Sequence, residues 1–385
     1  MQLKKINFSG SFAGFKLNYL KDIYLVGGAV RDLLLGKNIN DLDFVCKCDL
    51  NSFEKVAKIF FYKNFRKKPF LIGKEFPPTY RVVLNGKTID LTFLIKDFEI
   101  DAKRRDFTIN AIYLELENNK IIDPLNGVND LKKKLIRVCS EKSFILDPLR
   151  ILRCFRLFAN LNDFKIEKNT FKLLVKEKHL IKKVAKERIR EEFDKIILSK
   201  KNYQVFLILN RISLLNEIIP EYNRENIPYI KKIFDGLNEE EIKIFVYALL
   251  VNKVNKTLLK FSNYEKKLII FLQNGIKTIS SLSSEKKIKE FILENKDKIS
   301  ILIKFIEKFF PSLENFSILK KSFNDFLEKK ELIFNLINGH DVINAGVPEG
   351  KSVGKILKNI RLSIFLGKIK NREQALKMIN FFLDN

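Results

Sequence analysis

Two carboxylates separated by a single residue, Asp41 and Asp43, follow a glycine doublet, Gly27-Gly28, with Arg31 and Asp32 in between. Carboxylates held that close repel unless a cation sits between them. Hard oxygen ligands of this kind suit Mg2+ carrying nucleotide phosphates. The chemistry implied is metal-assisted attack on a nucleoside triphosphate. A second group, Arg104, Arg105 and Asp106 with Asn110 after it, can neutralise phosphates, orient a carboxylate and offer both a donor and an acceptor. A third is Asp147 followed by Arg150, Arg153 and Arg156 at intervals of three. An Asp can accept from the exocyclic amine of cytosine or adenine and an Arg can donate to ring nitrogen and carbonyl positions. Asp147 and Arg150 therefore suit a nucleobase edge, which leaves Arg153 and Arg156 for phosphates.

Local signals place these groups. Ile23 to Val26 has the length of a buried strand, and Gly27-Gly28 lets backbone approach a ligand with no Cβ in the way. Ala29 to Leu35 carries helix formers closed by Gly36, so Arg31 falls in the first turns, where free N–H groups attract anions. Asp41 to Val45 reads as a strand whose alternation puts both carboxylates on one face and Leu42 on the other. A helix over residues 51–61 is expected, capped by Asn51 or Ser52. Strands from Tyr80 and from Thr88 turn at Asn85-Gly86, the strongest hairpin signal in the chain. Asp90 on the second of these is either a third carboxylate or a structural acid at the sheet end. A further hairpin joins Tyr113–Leu116 to Lys120–Ile122, and from Ser143 onward helical periodicity replaces strand signals. Asp147 then caps a helix with Pro148 in its first turn; the arginines form one slanting row on it while Ile151, Leu152, Phe155 and Phe158 point into a core.

The chain has 385 residues, too many for one ordinary core, and 46% are hydrophobic against 31% charged, the balance of a globular protein. No apolar run is long enough to span a bilayer, and the first residues lack the apolar stretch of a secretory leader, so a cytoplasmic location and no membrane partner are expected. Four cysteines show neither zinc nor redox spacing, and two histidines exclude a multi-histidine centre. With 72 Lys and Arg against 46 Asp and Glu, the net charge of +26 favours a polyanionic partner, nucleic acid first.

The stretches GGAVRD with D-x-D, RRDFTINA and DPLRILR-x-x-R, together with Ile122 to Leu131 and Glu187 to Ile196, resemble in order the class II tRNA nucleotidyltransferase and bacterial poly(A) polymerase family. That resemblance implies an α+β chain: a polymerase β-like head with a mixed sheet (residues 1–140), then an all-helical neck (141–200), body (201–315) and tRNA-binding tail (316–385). It implies that Asp41 and Asp43 are catalytic and bind Mg2+, and that Gly28 and Arg31 meet the triphosphate. Arg105 would touch sugar or phosphate, Asp147 and Arg150 would read the base, and Arg153 and Arg156 would surround its phosphates. The implied activity is addition of cytidine, as CC or CCA, to a tRNA 3′ end from CTP and ATP without a template. Poly(A) polymerase or A-adding activity, and a non-catalytic RNA-binding role, are the alternatives. Leu146 stands where many members have Glu. The segment between Phe93 and Asp101 is short, as in members that add only two cytidines.

Overall fold

The computed structural model describes residues 21–39, 41–73 and 76–383. Residues 1–20, whose composition argued above against a secretory leader, therefore lie outside the described residues. By internal contacts the chain divides into two compact units, one spanning Met1–Pro220 with Lys256–Lys260 and the other Glu221–Asn255 with Phe261–Asn385.

In the first unit, β1 (Ile23–Val26), α1 (Gly28–Leu34), β2 (Leu42–Cys46), α2 (Leu50–Phe65), β3 (Phe70–Ile72), β4 (Thr79–Leu84), β5 (Lys87–Phe93), α3 (Phe98–Lys103), β6 (Tyr113–Glu115) and β7 (Lys120–Ile122) follow one another. The seven strands form one sheet in the order β3-β4-β5-β2-β1-β6-β7. All neighbours are antiparallel except β2 and β5, so the sheet is mixed and the expected α+β class holds. Alternation along β2 divides two cores. Leu42, Phe44 and Cys46 pack with Phe53, Ala57, Phe60 and Phe61 of α2. Val45 faces the other way, into a smaller cluster with Tyr24, Ala102 and Tyr113.

Helix α2 is longer than expected and its cap is Asp49, whose carboxylate accepts from the Asn51 N–H at 3.0 Å. The Asn85-Gly86 hairpin forms as read, both residues having positive φ, as a two-residue primed turn requires. Strand β3, too short and too irregular to signal itself, adds the sheet edge. Beyond the sheet come α4 (Gly127–Lys132), β8 (Leu135–Ile136), α5 (Ser143–Leu146), α6 (Arg150–Asn160), β9 (Lys165–Ile166), α7 (Lys168–Glu177), α8 (Lys186–Ile197), α9 (Asn202–Arg211) and α10 (Leu214–Ile218). The expectation that strands end before Ser143 fails at one place: β9 pairs in parallel with β8. Helix α6 buries Ile151, Leu152, Cys154 and Phe155, with Phe158 only half-buried.

The second unit is helical among its described residues: α11 (Glu239–Leu250), α12 (Asn263–Ser281), α13 (Glu285–Glu294), α14 (Ile299–Phe309), α15 (Phe316–Asn335), α16 (Gly339–Asn344), α17 (Lys351–Phe365) and α18 (Arg372–Leu383), with short 3-10 turns before α11 and after it. Reciprocal capping boxes fix the starts of α11, α12 and α16 through Asn238/Glu241, Ser262/Glu265 and Asn338/Asp341. Phe245, Phe305 and Phe309 interlock edge to face and tilted inside this unit. Among the described residues no helix is long and apolar enough to cross a membrane.

Candidate active site

Asp43 lies within β2 directly beside Asp90 of the parallel strand β5. Because Phe44 and Leu91 point into the α2 core, the two carboxylates leave the sheet on the opposite face. Asp41 precedes the strand, which starts at Leu42, and is held by Thr88, whose N–H and hydroxyl both donate to Oδ1 at 3.0 Å. Asp90 is clasped by Arg81, whose Nε and Nη2 each donate to it at 2.7 Å. Asp43 has no such donor among the described residues. Burial pushes its carboxyl up to about 6, the Asp90 and Asp41 charges add to this, and Arg105 and Arg153 oppose it. Among the described residues no three acids are gathered closely enough to enclose an ion; Asp41 and Asp43, which no arginine clasps, are the hard-oxygen donors of the kind a divalent cation takes.

Backbone comes unusually close to this acid. A Cβ on Gly27 would sit 2.8 Å from Asp43 Oδ2, and Gly27 also has φ of +81°, so the strand-to-helix turn needs glycine for two separate reasons. Gly27 caps α1 with no side-chain hydrogen bond, leaving the first-turn N–H groups uncapped. Behind them Arg31 donates from Nε and Nη2 to both oxygens of Asp32 and from Nη1 to Asn110 Oδ1 at 2.8 Å. Asn110 in turn donates to Asp106 at 3.1 Å, and Asp106 also accepts from the Phe107 N–H. Asp106 Oδ2 lies 2.8 Å from Arg153. A continuous polar chain thus runs from α1 through the turn at 106–110 to α6.

Arg104 and Arg105 diverge in role. Both are paired with Asp101, which is fully buried and also accepts from Tyr113 Oη at 2.7 Å. Burial raises the Asp101 carboxyl, but Arg105, Arg104 and the tyrosine outweigh it and hold it below the usual range. Arg105 additionally lies over the Tyr113 ring, 5.4 Å from its centre. The roles of Asp101 and Tyr113 were missed in the sequence; an Asp three and four residues before an Arg pair in a helical stretch is the signal that points to Asp101, while Tyr113 meets it only once the strand is folded against α3.

On α6, Arg150 donates to the carbonyls of Ser143 and Arg104, and burial lowers its pKa. Arg153 pairs with Asp106, and Arg156 Nε lies 3.1 Å from Glu192 of α8. Asp147 accepts from the Leu149 N–H at 3.2 Å and from Arg188 of α8 at 3.4 Å. Asp106 Oδ2, Arg153 Nε and Glu192 Oε2 are buried yet make no aligned hydrogen bond, so these pairs hold by proximity of charge alone. The nine residues to which the resemblance gives a role share one neighbourhood. Asp43 is influenced by Asp41, Arg105 and Arg153; Arg156 by Arg153 and Arg31; Arg150 by Asp147 and Arg153; Gly28 abuts the Arg31 guanidinium. Glu192 and Arg188 lie in the stretch Glu187 to Ile196 that carries part of the resemblance, but their pairing with Arg156 and Asp147 was not foreseen, because those partners are far away in sequence.

Residues 23–94 and 81–137 match the model of the poly A polymerase head domain, and residues 163–226 match a probable RNA and SrmB-binding site of polymerase A. The chain is 30% identical over 408 residues to the CCA-adding enzyme of Ligilactobacillus salivarius, covering 92% of this chain and 91% of the relative. It is 27% identical to the CC-adding tRNA nucleotidyltransferase of Synechocystis, with 91% of each covered. Among solved structures, the Thermotoga maritima CCA-adding enzyme complexed with tRNA CCA aligns with a TM-score of 0.71 at 25% identity, covering 94% of this chain and 91% of that one.

Proposed function

The chain belongs to the CCA-adding family of tRNA nucleotidyltransferases, and from that premise we propose that it adds cytidine, as CC or CCA, to the 3′ end of tRNA from CTP and ATP without a nucleic-acid template, in the cytoplasm. The observation that carries the assignment of the site is the Asp41–Asp43–Asp90 carboxylate face met by Arg105 and Arg153. Asp41 and Asp43 would hold Mg2+, which when bound supplies charge stabilisation to the reacting oxygens.

The residues of the chain divide the remaining work. Gly28 and the uncapped first turn of α1 receive the triphosphate, with Arg31 fixed beside them by Asp32 and Asn110. Arg105, locked on Asp101 and Tyr113, meets the sugar or a phosphate. Asp147 accepts the exocyclic amine of the incoming base and Arg150 donates to the ring edge, while Arg153 and Arg156 face its phosphates. With the base and phosphates so held, the tRNA 3′-hydroxyl attacks the α-phosphorus in line and pyrophosphate leaves. The head at 1–140 carries the chemistry, the neck at 141–200 reads the nucleotide, and the body at 201–315 and tail at 316–385 hold the tRNA.

The purified chain with Mg2+ and CTP is expected to extend a tRNA lacking its 3′ end by two residues. CTP with ATP gives three if the CCA end is completed and two if addition stops at CC. Long adenosine tracts on unrelated RNA would instead assign a poly(A) polymerase, and salt-sensitive tRNA binding with no incorporation would assign a non-catalytic binder.

A further inference from the structure

We propose that Arg188 and Glu192, one turn apart on α8, are positioning residues that set the two ends of the nucleotide-reading row, Arg188 by orienting Asp147 and Glu192 by holding Arg156. The inference rests on the reading of Asp147 and Arg150 as the pair that faces the base.

Residues four apart on a helix lie on one face, and on α8 that face has opposite signs at its two ends. The signs match those of α6 and of Asp147, three residues before its start at Arg150. Positive Arg188 meets negative Asp147, with Nη2 donating to Oδ2 at 3.4 Å, and negative Glu192 meets positive Arg156 at 3.1 Å. The two helices pack on each other, and Ile189 and Phe193 of α8 and Ile151 and Phe155 of α6 are fully buried. The backbone separation of the two rows is therefore fixed, and the polar pairs only direct side chains.

At the Asp147 end, Oδ1 takes the Leu149 N–H and Oδ2 takes Arg188, so two donors on different elements define the plane of the carboxylate. An acceptor that must tell a cytosine amine from a uracil carbonyl depends on that plane. With Arg188 removed, the carboxylate keeps one tether and rotates. At the Arg156 end, Glu192 is almost completely buried and close to the guanidinium without an aligned hydrogen bond. It compensates a charge that burial disfavours while leaving the direction of the guanidinium to a bound phosphate. The two ends thus make separable contributions: base choice from Arg188, triphosphate affinity from Glu192.

The test measures kcat and KM for CTP and for UTP at the first added position of a tRNA lacking its 3′ end, with wild type, Arg188→Ala, Arg188→Lys, Asp147→Ala and the Arg188→Ala/Asp147→Ala pair. Arg188 is more than half exposed, so its variants fold. Arg188→Ala is expected to lower the CTP-over-UTP selectivity about three- to fivefold, the scale of one exposed charged contact, with the melting temperature unchanged. Arg188→Lys restores part of it, and in the Asp147→Ala background the Arg188 substitution has no further effect. Glu192→Gln is expected to raise KM for both nucleotides alike and to leave their ratio at the wild-type value. Wild-type selectivity in Arg188→Ala, alongside lost selectivity in Asp147→Ala, overturns the positioning role alone. Wild-type selectivity in Asp147→Ala removes the base-reading assignment and the inference with it.

Discussion

Asp43→Asn is expected to abolish nucleotide addition and, at neutral pH, to make the folded protein more resistant to heat. The two effects have one cause. The Asp43 carboxyl is buried beside Asp90 and Asp41 and titrates near 6, against 3.8 for the free group. A carboxylate raised in this way binds its proton more tightly in the folded than in the unfolded chain. As pH rises from about 4 to about 6 the unfolded chain ionises first, so stability falls across that window, and the whole cost is present above it. The shift corresponds to on the order of 3 kcal/mol. An amide at position 43 removes the cost, so the variant should gain stability at pH 7.5 and gain nothing at pH 4. Catalysis should drop on the order of a thousandfold, because the charge that burdens the fold is the one offered to a cation at the reacting phosphate. Thermal melts at the two pH values, with extension assays on the same samples, check both halves. Equal melting of the two proteins at pH 7.5 would mean that the charge is not under-compensated.

Gly127→Ala is expected to be the most damaging single methyl in the first unit. A Cβ there would lie 2.2 Å from the Thr108 carbonyl oxygen and 2.8 Å from its carbon, with Ile112 Cγ1 at 3.0 Å. Two of these atoms are backbone and cannot swing aside. The Thr108 carbonyl accepts from the Ala111 N–H in the turn that carries Asn110, and Thr108 Oγ1 donates to buried Asp130. Displacing it moves the link through which Arg31 is tied to Arg153. The cost is about 3 kcal/mol or more, a fall of roughly 6–12 °C in melting temperature for a unit of this size. KM for nucleotide should rise in the same variant at temperatures where it remains folded. A melting temperature within about a degree of wild type, which would need a shift of only a few tenths of a kcal/mol, would show that the turn yields freely.

What could be read directly were features set by local rules. Gly27-Gly28, the alternation around Leu42 and the Asn85-Gly86 turn each follow from backbone sterics or strand period, and each stands as read. The Asp90 question was answerable too. Pairing outward from a two-residue turn at Asn85-Gly86 brings Arg81 opposite Asp90, where a bidentate ion pair forms. Asp90 is therefore clasped by an arginine and at the same time raises Asp43. The cap of α2, expected at Asn51 or Ser52, lies two or three residues earlier because Asp49, Asn51 and Ser52 are all competent caps, and only the path out of β2 selects among them. Strand β3 and the β8–β9 pair carry too few residues to show a period. The partners of the arginine row were hidden for a different reason. Asp106 reaches Arg153 only after α6 has packed on the turn at 106–110, and Glu192 and Arg188 reach Arg156 and Asp147 only after α8 has packed beside them, so no spacing in the chain announces them.

The assignment of Asp41 and Asp43 as the pair that holds the ion is tested most directly by counting Mn2+ bound to the full chain in the presence of CTP, by electron paramagnetic resonance, in wild type, Asp41→Asn and Asp43→Asn. Wild type should take up the ion together with the nucleotide, and each variant should bind it more weakly by on the order of tenfold or more. Mn2+ uptake equal to wild type in both variants would place the ion elsewhere and contradict the assignment.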